Sequence, residues 1–106
     1  PPEAWLQHTF ETEWIERTLK DCLLHTYHPA RSPVAPGAAA PHFTLTPGRI
    51  RRYMWQLLTT VRETHRQDIL HRDINPYNIR VCQDREEARL GNFRFARRMC
   101  ADADAL

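Results

Sequence analysis

Residues 69–81 read ILHRDINPYNIRV, and residues 88–97 follow as ARLGNFRFAR. In the first run a carboxylate, Asp73, stands five residues ahead of an amide, Asn78. Asp73 can accept a proton from an attacking hydroxyl, and Asn78 can offer a neutral oxygen to a hard cation. Pro76, between them, fixes φ and stiffens the turn. Ile69 and Leu70 make a short apolar entry to the run. The alternation over 78–82 predicts a strand, the polar stretch 83–87 turns it, and 88–91 returns as a second strand. The candidate chemistry therefore lies where a helix gives way to a hairpin.

Upstream, Thr46-Pro47-Gly48 opens the strongest helix of the chain. Thr46 suits the N-cap, and Pro47 suits the first helical position, where no amide donor is needed. Ile50, Tyr53, Met54, Leu57, Leu58 and Val61 follow helical spacing to about His65, which predicts one buried face. Arg49, Arg51, Arg52, Arg62 and Glu63 are expected mostly on the other face. Before that helix, residues 28–47 hold five prolines and the run Ala38-Ala39-Ala40, which predicts a mobile loop or insertion. Earlier still, 13–25 (EWIERTLKDCLLH) begins with an apolar pair and continues as a short amphipathic helix. Thr18 can cap it, and Leu19, Cys22 and Leu23 share a face. The segments are thus 13–27, 28–46, 47–66 and 69–98.

Composition excludes several classes. The 106 residues are 42% hydrophobic and 26% charged, a globular balance, and no apolar run approaches the roughly 20 residues that span a bilayer. The chain opens Pro1-Pro2-Glu3 without Met or a signal-peptide pattern, so it reads as cut from something longer. Net charge is +2, with the basic excess concentrated over 49–98. That excess would attract phosphate-bearing ligands, but an arginine-rich solvated surface explains it without nucleic acid. Cys22, Cys82 and Cys100 are odd in number and lack a C-x-x-C pair, which argues against a disulfide framework and for a reducing, intracellular compartment. The spacing of Cys22, His25 and His28 invites a zinc reading, but a fourth ligand at suitable spacing is missing. Three glycines and the single Lys20 leave no Gly-rich phosphate loop with its lysine.

His71-Arg72-Asp73, Asn78 and Asn92-Phe93-Arg94 after one hairpin resemble the H-R-D-x-x-x-x-N catalytic loop and the D-F-G metal loop of eukaryotic protein kinases. The segment 13–25 is weakly similar to the hinge and first small helix of cyclin-dependent-type serine/threonine kinases. The resemblance implies an α+β fold, a fragment of the C-terminal lobe that is mainly helical, with a small hairpin carrying both loops. It implies Asp73 as base, Arg72 as partner of an acid or phosphate elsewhere, and His71 packed on Phe93. ATP and Mg²⁺ would be the cofactors, with Asn78 and Asn92 facing the metal and Phe93 beside the nucleotide site. The partner would be a protein, either substrate or regulator, with no nucleic acid and no membrane involved.

Three departures from the family pattern cluster at the phosphate site. Asn92 replaces the metal-binding aspartate and drops its charge. Asn75 stands two residues after Asp73, where serine/threonine kinases place a lysine, and Arg94 replaces the D-F-G glycine. The resemblance therefore implies a pseudokinase scaffold of kinase ancestry. The alternatives are an active serine/threonine kinase completed by a longer chain, and an aminoglycoside-type small-molecule phosphotransferase.

Overall fold

Thr18 turns the chain from strand to helix. Its hydroxyl accepts from the Asp21 amide, and the Asp21 carboxylate accepts from the Thr18 amide, a reciprocal capping box. The computed structural model describes residues 16–38, 40–82 and 84–99. The start of the first expected segment at 13, the turn residue Gln83 and Cys100 with its acidic tail lie outside the described residues. Strand β1 is Glu16–Thr18 and helix α1 is Leu19–Tyr27. Helix α2 runs Pro47–Arg66 from the Thr46 cap, whose hydroxyl accepts from the Arg49 amide. Strands β2 (Ile69–Leu70), β3 (Ile79–Cys82), β4 (Glu87–Leu90) and β5 (Arg97–Arg98) complete the regular elements.

β1, β3 and β4 form one antiparallel sheet in that order, with Thr18 opposite Arg80 and Ile79 opposite Leu90. A second, two-stranded ladder pairs Ile69 with Arg98 and Leu70 with Arg97. Ile79 and Val81 point inward and Arg80 outward, Ala88 and Leu90 join the same buried face, and Cys82 at the strand end is buried as well. That face packs with Cys22 of α1 and with Tyr53 and Leu57 of α2 into one core. Burial pushes the Cys22 thiol up to about 12, and burial likewise raises the Tyr53 hydroxyl. The Tyr53 hydroxyl has no hydrogen-bond partner among the described residues.

Three sequence expectations are corrected. The apolar face of α2 is only partly buried: Met54 and Leu58 are 48% and 60% exposed, and Ile50 is also open. The hairpin and α1 cover the side holding Tyr53 and Leu57, and each following residue lies about 100° further round the helix. The proline-rich stretch is packed down, because Val34, Phe43 and Leu45 are core residues. Short 3₁₀ turns at Pro29–Arg31 and Ala40–Phe43 shape it, and the Leu45 amide donates to the Thr26 hydroxyl at 2.8 Å. Arg49 does not belong to the solvated face. Its guanidinium donates to the carbonyls of Pro41 and Thr44 and pairs with Glu86, tying loop, helix and hairpin together.

Smaller shifts have local causes. The first hairpin strand begins at Ile79 rather than 78, because Asn78 closes a 3₁₀ turn, Pro76–Asn78, capped by Asn75. The second strand spans Glu87–Leu90, one residue earlier than expected, since Glu87 pairs with Cys82. Arg97 and Arg98 are exposed but also carry the ladder to β2, and the Met99 amide donates to the Asp68 carbonyl.

Candidate functional site

β2 delivers the chain from the end of α2 into His71, the one buried polar residue among the described residues, 3% exposed. Its ring is held at both nitrogens. Nε2 lies 2.7 Å from the Gly91 carbonyl, and Nδ1 lies 3.1 Å from the Asp73 amide. A carbonyl only accepts and an amide N–H only donates, so Nε2 carries the proton and Nδ1 accepts. The Phe93 ring meets His71 edge-on at 4.7 Å, the contact the resemblance implies. His71 thereby joins the 71–78 loop to the turn after β4.

Asn75 orders the loop from within. Its side-chain oxygen accepts from the amides of Tyr77 and Asn78 and caps the 3₁₀ turn. Its side-chain nitrogen donates to Asp73 Oδ1 at 3.0 Å and to the Asp73 carbonyl at 3.2 Å. Asn78 Nδ2 donates to Asp73 Oδ2 at 2.9 Å and to the same carbonyl at 2.8 Å. Both carboxylate oxygens of Asp73 therefore face neutral amide donors. Asn92 Nδ2 donates to Asn78 Oδ1 at 2.9 Å, and the Gly91 amide donates to the Asn78 carbonyl at 2.8 Å.

The structure thus brings together His71, Asp73, Asn75, Asn78, Asn92 and Phe93. Arg72 and Arg94 stand apart. Arg72 is exposed at φ 71° and makes no ion pair among the described residues. Arg94 lies in the 3₁₀ turn Phe93–Phe95, with its guanidinium over the Phe95 ring, 4.7 Å from the centroid. The positive φ of this turn falls on Asn92, at 57°, a conformation that Asn tolerates well. Sequence reasoning missed Gly91, whose carbonyl and amide both serve the site. Its position between a strand end and Asn92-Phe93 was the available signal. Lys20 sits 5.9 Å over the ring of Tyr77, on the outside of the loop turn.

A family model described as "Protein kinase domain" matches residues 14–105. The chain belongs to the protein kinase domain family. Among its relatives, "Cyclin-dependent kinase 2" of Caenorhabditis elegans is 34% identical over 85 residues, covering 80% of this chain and 20% of that protein. "Serine/threonine-protein kinase SSN3" of Yarrowia lipolytica (strain CLIB 122 / E 150) is 33% identical over 72 residues, covering 68% of this chain and 15% of its own length. "Cyclin-dependent kinase-like 5" of Homo sapiens is 34% identical over 53 residues, covering 50% and 5%. This kinase-family chain spans a fifth or less of each of these relatives. The family uses ATP and Mg²⁺ and acts on protein substrates. No helix among the described residues is long and apolar enough to cross a membrane.

Proposed function

We propose that this chain is the catalytic-loop portion, from the C-terminal lobe, of a kinase-like domain whose phosphoryl transfer is impaired, and that it serves as a docking or regulatory scaffold for a protein partner. One observation carries the reading: at the base position, Oδ1 of Asp73 is engaged by the neutral Asn75 amide rather than by a cation. Phosphoryl transfer is catalysed by positioning and by cations aimed at the charge that develops on the transferred group. Asn75 stands where the resemblance expects a lysine, and Arg94 does not fill the gap, because its guanidinium lies on Phe95. Removing single electrostatic partners commonly costs roughly 10²–10³ in rate.

A second reading, an active serine/threonine kinase completed by a longer chain, draws on the order of the loop. His71, Asp73 and Asn78 are retained and held by hydrogen bonds, so Asp73 keeps the base role in either case.

The test is γ-phosphate transfer from labelled Mg-ATP to serine and threonine peptides by the natural full-length protein. The wild type is expected to be at least roughly 10²-fold slower than the triple variant Asn75→Lys, Asn92→Asp, Arg94→Gly. Wild-type turnover in the ordinary kinase range of about 1–100 s⁻¹ would overturn the scaffold reading.

A further inference from the structure

We infer that the Asn92 side-chain amide takes over the bridging role of a metal ion here, so that the catalytic loop and the turn at Asn92 are tied by an amide-to-carboxylate hydrogen-bond relay independent of divalent cations. The inference rests on the kinase-loop reading of these residues, and it concerns how the site is held rather than whether it turns over.

The relay has a single direction. Asn92 Nδ2 donates to Asn78 Oδ1, Asn78 Nδ2 donates to Asp73 Oδ2, and Asn75 Nδ2 donates to Asp73 Oδ1. The amide orientations are fixed by what they meet. Asn78 must turn its nitrogen to Asp73, because the carboxylate and the Asp73 carbonyl are both acceptors. Its oxygen then faces Asn92, which must answer with nitrogen, since the opposite orientation would set oxygen against oxygen.

This donor set does not match a magnesium site. Magnesium wants near-octahedral oxygen ligands, usually with carboxylates among them. One lone pair of the Asn78 oxygen takes an N–H, and Asn92 presents that N–H where the family pattern has a carboxylate oxygen. The one carboxylate in the cluster, Asp73, accepts amide donors on both oxygens. A cation at Asn78 Oδ1 would share that oxygen with the Asn92 N–H and sit against its partial positive charge. The left-handed backbone of Asn92 also suits aspartate. Asn92→Asp would then keep the turn but set a second carboxylate against the oxygen of Asn78, an arrangement that a divalent cation relieves.

The experiment uses the natural full-length protein without nucleotide, comparing wild type, Asn92→Ala and Asn92→Asp. Each is melted in EDTA and in MnCl₂ at matched ionic strength, with Mn²⁺ binding followed by water proton relaxation. The wild type is expected to melt at the same midpoint in both and to leave Mn²⁺ free. Asn92→Ala should lose about 2–4 °C in both conditions. Asn92→Asp should lose a similar amount in EDTA and recover it with Mn²⁺. The inference is overturned if Mn²⁺ raises the wild-type midpoint as much as that of Asn92→Asp, or if Asn92→Ala melts like wild type. Phosphate transfer, measured separately, judges the scaffold reading. Kinase-like turnover in a wild type whose melt ignores Mn²⁺ retires the scaffold and keeps the relay. An inert wild type whose melt responds to Mn²⁺ does the reverse.

Discussion

His71 holds the site through two hydrogen bonds of opposite sense, to the Gly91 carbonyl and from the Asp73 amide, and through its edge contact with Phe93. His71→Phe would keep a ring of similar shape but leave both backbone groups without their partner. Leaving a buried donor or acceptor unmet costs about 1–3 kcal/mol. Urea unfolding of this variant should therefore show a loss in that range or above, even though packing is nearly preserved. Much of this was legible in the sequence. The spacing of Asp73 and Asn78 and the pairing of His71 with Phe93 followed from the motif. The role of Asn75 was visible only as a missing lysine, because its capping bonds depend on the turn that Pro76 imposes. The direction of the Asn92–Asn78–Asp73 relay was not readable either, since side-chain amides declare their orientation only against their partners.

Helix α2 illustrates how periodicity locates an element without saying how much of it is covered. The Thr46 cap, Pro47 and the apolar spacing predicted its span to within a residue, yet only Tyr53 and Leu57 are buried. Polar bonds add to the apolar contact of Tyr53 and Leu57 with the hairpin. Gln56 accepts from the Ala88 amide at 2.7 Å and donates to the Glu86 carbonyl at 3.1 Å, and Arg52 reaches the same carbonyl. Glu86 sits at φ 51°, at the end of the hairpin turn, so these bonds meet the turn where it is most constrained. Gln56→Ala should cost about 1–3 kcal/mol in urea unfolding by leaving the Ala88 N–H unmet. A loss below about 0.5 kcal/mol would show that the hairpin is held by its apolar face alone. Neither Gln56 nor Arg49 stood out in the sequence, because a polar residue on a helix reads as solvent-facing until the returning chain is placed against it.

At the scale of the molecule, α1, α2, the sheet and the proline-rich segment meet around Cys22, which is fully buried. Its thiol is pushed up from 9.0 to about 12, chiefly by burial. The sign follows from linkage: above about pH 9 the unfolded chain loses this proton while the folded chain keeps it. Stability from Cys22 is thus intact below pH 9 and declines as pH rises toward 12. Tyr53, also raised by burial, acts in the same sense. Denaturant midpoints measured between pH 8 and 11 should fall more steeply for wild type than for Cys22→Ala. The same core shows why the α+β class was readable but the packing of 28–46 was not. Prolines keep this segment from long regular elements, but they do not keep Val34, Phe43 and Leu45 from turning inward.

The proposed relay closes the kinase-type loop pair with amides rather than with a metal. The most direct test is nuclear magnetic resonance of the natural protein labelled at asparagine, following the side-chain NH₂ signals of Asn78 and Asn92 as Mn²⁺ is added. With the relay in place, both signals are expected to be protected from exchange with water and not broadened selectively at millimolar Mn²⁺. Selective loss of both signals at low Mn²⁺, showing the cation seated beside them, would contradict it.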